Sequence, residues 1–168
     1  AIVKTTRPYA LTVFENSPLN RITEQGASGA AWQPLNASIV GSGHTVKTDY
    51  GTNVDTGAEL VKLWIVNYNT SNVPSGATGT GKYVAGKLHR ITVKDENWIS
   101  GRAGTVDEYR DFADRVVLRR IWKTNTIPLD TYYVYDDLGN LCYVVPPAVT
   151  TTSFTESAAA FTNYIYAY

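Results

Sequence analysis

A chain of 168 residues with 43% hydrophobic and 18% charged residues is long enough for one domain with a real core and too apolar for a disordered linker. Its formal net charge of zero argues against nucleic acid or an anionic membrane surface as a partner, because both reward a basic excess. No stretch approaches the ~20 apolar residues of a membrane helix, so membrane insertion is not expected.

Twelve tyrosines and four tryptophans favour strands and broad, half-buried sheet surfaces. The single cysteine, Cys142, excludes an internal disulfide. Between Leu141 and Tyr143 it reads as a small buried apolar residue rather than a reactive thiol. The chain has no methionine and no signal-peptide pattern, which leads us to expect an excised piece of a larger protein.

In chain order, Pro8–Phe14 is an apolar-rich strand, residues 15–18 carry turn chemistry, and Leu19–Glu24 alternates again. Gly26–Gly43 is small and polar, a long connection that we expect Trp32 to pin down. Val46–Tyr50 and Leu60–Tyr68 read as strands around a Gly/Asn/Asp turn region. Asn69–Lys82, rich in Gly, Ser, Thr and Pro, reads as a loop, and Tyr83–Lys94 as a strand kinked at Gly86. Three units then align on an aspartate between two strand-like runs: residues 91–98 around Asp95, 109–118 around Asp111 and Asp114, and 133–141 around Asp136. Their irregular spacing suits hairpins joined by variable loops better than a strict solenoid. Thr105–Glu108 and Ser153–Glu156 both fit a helix capping box, and the alanines at 158–160 favour a short helix near 153–161. Phe161–Tyr168 alternates like a strand, aromatic and uncharged, and an unpaired strand of that kind invites edge-to-edge dimerisation.

The run from Thr131 to Val145 is the most informative. Tyr133 and Tyr135 fall on one face, Tyr132 and Val134 on the other. Gly139 supplies positive φ for a turn after Asp136-Asp137, and Pro146-Pro147 ends the second strand. This order of tyrosine, aspartate, two residues and glycine resembles the YD repeat of RHS-repeat proteins. The whole run through Pro147 is similar to the form found in large RHS proteins of Bacteroidota. Glu15–Gly26 followed by Trp32 resembles the segment upstream of the repeats in the same proteins. The resemblance implies a spiralling β-sheet wall that closes into a hollow shell, often around a toxic C-terminal domain. It also favours a strand over a helix for residues 105–113. The units depart from the family pattern: Trp98 and Asp114 stand where glycine is expected, and Asn140 where arginine is expected.

These readings give an all-β domain of antiparallel, YD-repeat-like hairpins in a strongly twisted sheet, with at most one short helix. Residues 1–82 would form divergent upstream hairpins and 83–168 the YD-like ones, the last cut short. Tyr133, Tyr135, Asp136, Gly139, Asp111, Asp114 and Asp95 then have turn and repeat roles. Reading the aspartates as paired glycosidase acids fits less well, because they recur at the same place in each hairpin.

Gly76–Lys82 matches most of G-x-x-x-x-G-K, but Tyr83 stands where Ser or Thr would hold the metal, and no helix pattern follows. His44 and His89 have no second ligand at zinc spacing, and no G-x-S-x-G is present. We therefore expect no catalysis, no cofactor and no metal. The expected role is a structural segment of a secreted or cell-surface shell. Its partners would be neighbouring repeats, an enclosed toxin domain, or a second copy through the last edge. The alternative, a glycan-binding or adhesion module, rests on the exposed faces of the aromatics and is testable on a glycan array.

Overall fold

The computed structural model describes residues 5–168. Among them twelve strands form two antiparallel sheets. The strands are β1 (Leu11–Phe14), β2 (Ile22–Gly26), β3 (Val46–Thr52), β4 (Lys62–Tyr68), β5 (Pro74–Lys82), β6 (His89–Lys94), β7 (Val106–Arg110), β8 (Val116–Trp122), β9 (Pro128–Tyr135), β10 (Leu141–Val145), β11 (Ser153–Thr155) and β12 (Tyr166–Ala167). One short helix, α1 (Ala159–Tyr164), precedes β12, and two single 3-10 turns cover Ala30–Trp32 and Gly57–Glu59. A nine-stranded sheet runs β1-β2-β3-β6-β7-β8-β9-β10-β12, and a three-stranded sheet runs β11-β5-β4. The fold is all-β and built of antiparallel hairpins.

The smaller sheet lies over the β8–β10 part of the larger one. Trp64 of β4 meets Tyr132 of β9 with ring centroids 6.2 Å apart, and Phe154 of β11 meets Tyr143 of β10 edge-on at 5.3 Å. Around these rings Val61, Leu88, Tyr109, Leu118, Val134 and Val145 are buried. This shared apolar layer is the hydrophobic core that gives the fold its main stabilisation.

The structure corrects the sequence reading in five places. The run read as a loop from Asn69 to Lys82 contains the nine-residue strand β5. Its glycines are demanded from across the sheet: a Cβ on Gly79 would stand 2.5 Å from the Trp64 ring. The strand read over Tyr83–Lys94 holds only from His89; residues 83–88 turn around the buried Asn53 instead. The Asn53 side chain accepts from Leu88 N at 2.8 Å and donates to Val84 O at 3.0 Å. Trp32 does not pin the long connection, being 42% exposed. Gln33 does so, donating through Nε2 to Tyr9 O at 3.0 Å and Ala27 O at 2.8 Å.

Ser153–Glu156 does not cap a helix. Residues 153–155 form β11, which buries Phe154 against β5, and α1 begins six residues after Ser153 with no side-chain cap. Phe161–Tyr168 is not a strand: α1 stacks Phe161 on Phe154 at 6.1 Å and buries Ile165, leaving the two residues of β12 to pair with β10. The long aromatic edge on which dimerisation was expected is therefore absent. Thr105–Glu108, the other capping-box stretch, starts no helix: residues from Val106 on form strand β7.

Candidate functional site

One local structure recurs in three hairpins, β4–β5, β7–β8 and β9–β10. It opens on Asn69, Asp111 or Asp136. The side-chain Oδ1 of each accepts two main-chain N–H groups, two and four residues on. The distances are 2.9 and 3.0 Å from Ser71 and Val73, 2.9 and 3.0 Å from Ala113 and Arg115, and 3.0 and 2.7 Å from Leu138 and Asn140. This is how a short polar side chain stands in for backbone in a turn. The main chain closes in the same register each time: Asn69 N to Val73 O at 2.9 Å, Asp111 N to Arg115 O at 3.0 Å, and Asp136 N to Asn140 O at 2.9 Å.

The residue three positions on is left-handed, with φ of 57° at Asn72, 60° at Asp114 and 89° at Gly139. Asn, Asp and Gly are the residues that reach this region at least cost. Six positions on, one residue has no opposite number: Ser75, Val117 and Cys142 fall where the strand register shifts. A bulge bends the strand and re-aims side chains. Here both Val117 and Leu118, and both Cys142 and Tyr143, are buried as adjacent pairs. Burial of Cys142 in turn pushes its thiol pKa up.

In two of the three turns the fifth residue also closes the turn from outside. Arg115 Nε donates to Asp111 Oδ2 at 2.8 Å, and Asn140 Nδ2 donates to Asp136 Oδ2 at 2.9 Å. The first hairpin, β1–β2, holds a longer version of the same closure. Glu15 N donates to Arg21 O at 2.9 Å, Arg21 Nε donates to Glu15 Oε1 at 2.8 Å, Asn20 is left-handed at 50°, and Thr23 sits at the bulge.

These bonds act on the carboxyl groups. The Asn140 side chain, ahead of a small opposing effect of burial, holds Asp136 below the usual carboxylate range. Burial pushes Asp111 upward, but the Arg115 guanidinium and the turn N–H groups outweigh it, and its pKa is lowered. Glu15 is pulled from 4.5 down to about 2, chiefly by Arg21.

Asp95 stands apart. Its side chain accepts one N–H, from Asn97 at 3.0 Å, and Trp98 returns to its carbonyl at 3.1 Å, but no left-handed residue or bulge completes the turn. It follows β6, and the turns after β7 and β9 lie at the other end of the antiparallel sheet. Asp114 faces away, toward Arg110 at 3.3 Å. By contrast Asp111, Tyr133, Tyr135 and Asp136 come together along one cleft of 350 Å³ between β4 and the β8–β9 side of the large sheet.

Several polar residues that sequence reasoning did not single out organise the interior. Arg120, 2% exposed, reaches Asp130 through Nε at 2.6 Å and Nη2 at 2.7 Å, and donates to the carbonyls of Ala58 and Leu60 at 3.0 and 2.9 Å. The Tyr132 hydroxyl donates to the same carboxylate at 3.0 Å, and burial together with that negative charge pushes its pKa up. Asp107 accepts from Trp122 Nε1 at 2.7 Å and from the Thr92 hydroxyl at 2.5 Å. Glu59 receives Arg90 at 3.0 Å and also Arg102. The Arg120 bonds to the Ala58 and Leu60 carbonyls and the Arg90 and Arg102 bonds to Glu59 tie the segment at 57–60 to the face of the large sheet. A faint sequence signal exists for Arg120 and Asp130 alone: opposite charges at inward positions of adjacent strands.

The histidines lie apart on the surface. His44 Nδ1 is 3.1 Å from Glu96 O, and His89 meets Phe112 edge-on at 5.7 Å. Among the described residues no three His, Cys, Asp or Glu side chains gather as a metal site. Gly76–Lys82, the phosphate-loop-like run, is part of strand β5.

Fold and turns define an all-β protein in which three hairpins, β4–β5, β7–β8 and β9–β10, share one turn-and-bulge unit. The model of a family described as a domain of unknown function (DUF6443) matches residues 2–51, a stretch that holds β1, β2, the long connection and most of β3. No curated protein matches the chain, and no solved structure does.

Proposed function

We propose that this chain is a non-catalytic structural segment of a wall of the RHS/YD-repeat type, carried by a secreted or surface-displayed protein. The observation that carries the reading is the repeated unit: the same side-chain-capped turn, left-handed residue and bulge at Asn69, Asp111 and Asp136, with an enlarged form at Glu15. Two of these hairpins, β7–β8 and β9–β10, lie side by side in the nine-stranded sheet, as the hairpins of a continuous wall would, while β4–β5 carries the unit in the smaller sheet. Supporting it, β6 to β10 follow one another across the nine-stranded sheet in chain order. In that role the partners are neighbouring hairpins, and, by the resemblance, the contents of the shell are a toxin domain.

Electron cryo-microscopy of the protein that carries this chain, with its flanking sequence, tests the reading. The expected result is a wall in which the nine-stranded sheet continues through further hairpins. A free-standing bead with both outer edges of that sheet facing solvent would overturn it.

A further inference from the structure

The three-stranded sheet ends on β4, which has a partner on one side only. The direction of its main-chain groups follows from β5. Glu156 N donates to Ser75 O at 3.1 Å and Gly79 N donates to Thr152 O at 2.7 Å, so residues 75, 77 and 79 turn toward β11. Residues 76 and 78 then turn toward β4, where they oppose Asn67 and Ile65. With a strand's period of two, Trp64 and Val66 point their N–H and C=O groups away from β5. Five consecutive β4 residues, Lys62 to Val66, line the 350 Å³ cleft, and Tyr83, Tyr133 and Asp137 are among the other residues that line it. Among the described residues neither Lys62 Nζ nor the Asp137 carboxylate has an ion-pair partner.

We propose that this edge and cleft accept an extended polypeptide segment that adds to β4 as a fourth strand, with a basic side chain beside Asp137 and an acidic one beside Lys62. Alternating donors and acceptors on a strand edge match an extended main chain, and the cleft supplies the pockets that choose its side chains. A cleft of 350 Å³ is at the small end of the range for ligand sites, which suits a few residues of a strand. The charges are complementary to one lysine or arginine and one glutamate or aspartate, and not to a polyanion. The inference goes beyond the wall reading and does not depend on it.

A displayed library of heptapeptides, panned on the whole chain and in parallel on the Asp137→Lys variant, is the test. The expected result is enrichment of alternating sequences with one basic position on the parent chain. By calorimetry a synthetic winner should lose about tenfold or more in affinity when its alternate amides are N-methylated, and as much against Asp137→Lys. Glutamate in place of the basic residue should restore binding to that variant. Circular dichroism melting confirms that the variant is folded. No enrichment above an unrelated control protein would overturn the proposal. Winners indifferent to N-methylation and to position 137 would also overturn it, as would light scattering that shows the edge taken by a second copy.

Discussion

The two halves of the nine-stranded sheet use the same hairpin logic with different backing. Along β1, β2 and β3 the only buried strand residue is Gly26. Along β8, Val117, Leu118, Arg120 and Trp122 are buried, and along β10, Cys142, Tyr143 and Val145. The difference is the second layer: β4, β5 and β11 lie over β8–β10. Closing a hairpin thus requires turn chemistry and ladder bonds, whereas most of the stability comes from what covers the sheet. The stretch similar to the DUF6443 family falls in the thinly backed half.

The sharpest way to break this contrast is to truncate one leucine in each half. Leu118 is fully buried, and Leu118→Ala should cost roughly 2–5 kcal/mol in urea unfolding. Leu11 is 40% exposed on β1, and Leu11→Ala should cost less than about 0.5 kcal/mol. Similar costs for the two would show that the first hairpin is backed as firmly as β8.

The polar interior gives the next largest effect. Asp130→Ala strips Arg120 of its carboxylate and leaves a buried guanidinium, which should cost roughly 3–5 kcal/mol or unfold the chain. Changing both together, Arg120→Met with Asp130→Leu, should recover a large part of that loss. If the double variant is as unstable as the single one, the pair positions residues 58–60 and does more than neutralise itself.

The turn itself comes third. Gly139 sits at φ 89°, and Gly139→Val should destabilise by more than ~1 kcal/mol, because a β-branched residue is strained there. Asp114→Gly should leave stability within a few tenths of a kcal/mol of the parent's, since glycine is at ease at positive φ and the Asp114–Arg110 ion pair is solvent-exposed and weak. A melting curve for Gly139→Val equal to the parent's would sink the turn assignment.

How much of this is legible in sequence depends on where the information lies. The Asp136–Gly139 and Asp111–Asp114 turns are local: an acceptor side chain and a left-handed residue three apart are both written in the chain. Asn69 follows the same rule, yet it stays hidden because β5 after it is made largely of Gly, Ser, Thr and Ala. Those glycines answer to Trp64 and Phe154 across the sheet, contacts that no local pattern records. Phe161–Tyr168 misleads for another reason: a short aromatic run alternates well enough for a strand, and only the stacking of Phe161 on Phe154 and the burial of Ile165 in the core decide for a helix. The Arg120–Asp130 pair needs the β8–β9 register, which the turn at 123–127 sets.

The smallest expected effect concerns acid, and it compares the turn residues with one another. Asp111, Asp136 and Glu15 all have folded pKa values lowered by their turns. A carboxyl whose folded pKa is depressed binds its proton more readily when unfolded. Its contribution is therefore complete above the unfolded value and is lost as pH falls through the folded one. For Glu15 that window runs from 4.5 down to about 2, and the two aspartates lose theirs below 3.8. Asn69 shows that an amide oxygen can hold the same turn without any charge, accepting from Ser71 and Val73 at 2.9 and 3.0 Å. Asp136→Asn keeps the Oδ1 acceptor but loses the charge and the Oδ2 that takes the Asn140 bond, so at neutral pH it should be less stable than the parent, and the two should converge in acid. What it removes is one titrating group, and the fall of the urea midpoint as pH drops below 3.8 should become shallower. An acid slope identical to the parent's would mean that Asp136 works in this hairpin as a neutral hydrogen-bond acceptor, as Asn69 does in its own, and that its charge is incidental to the turn.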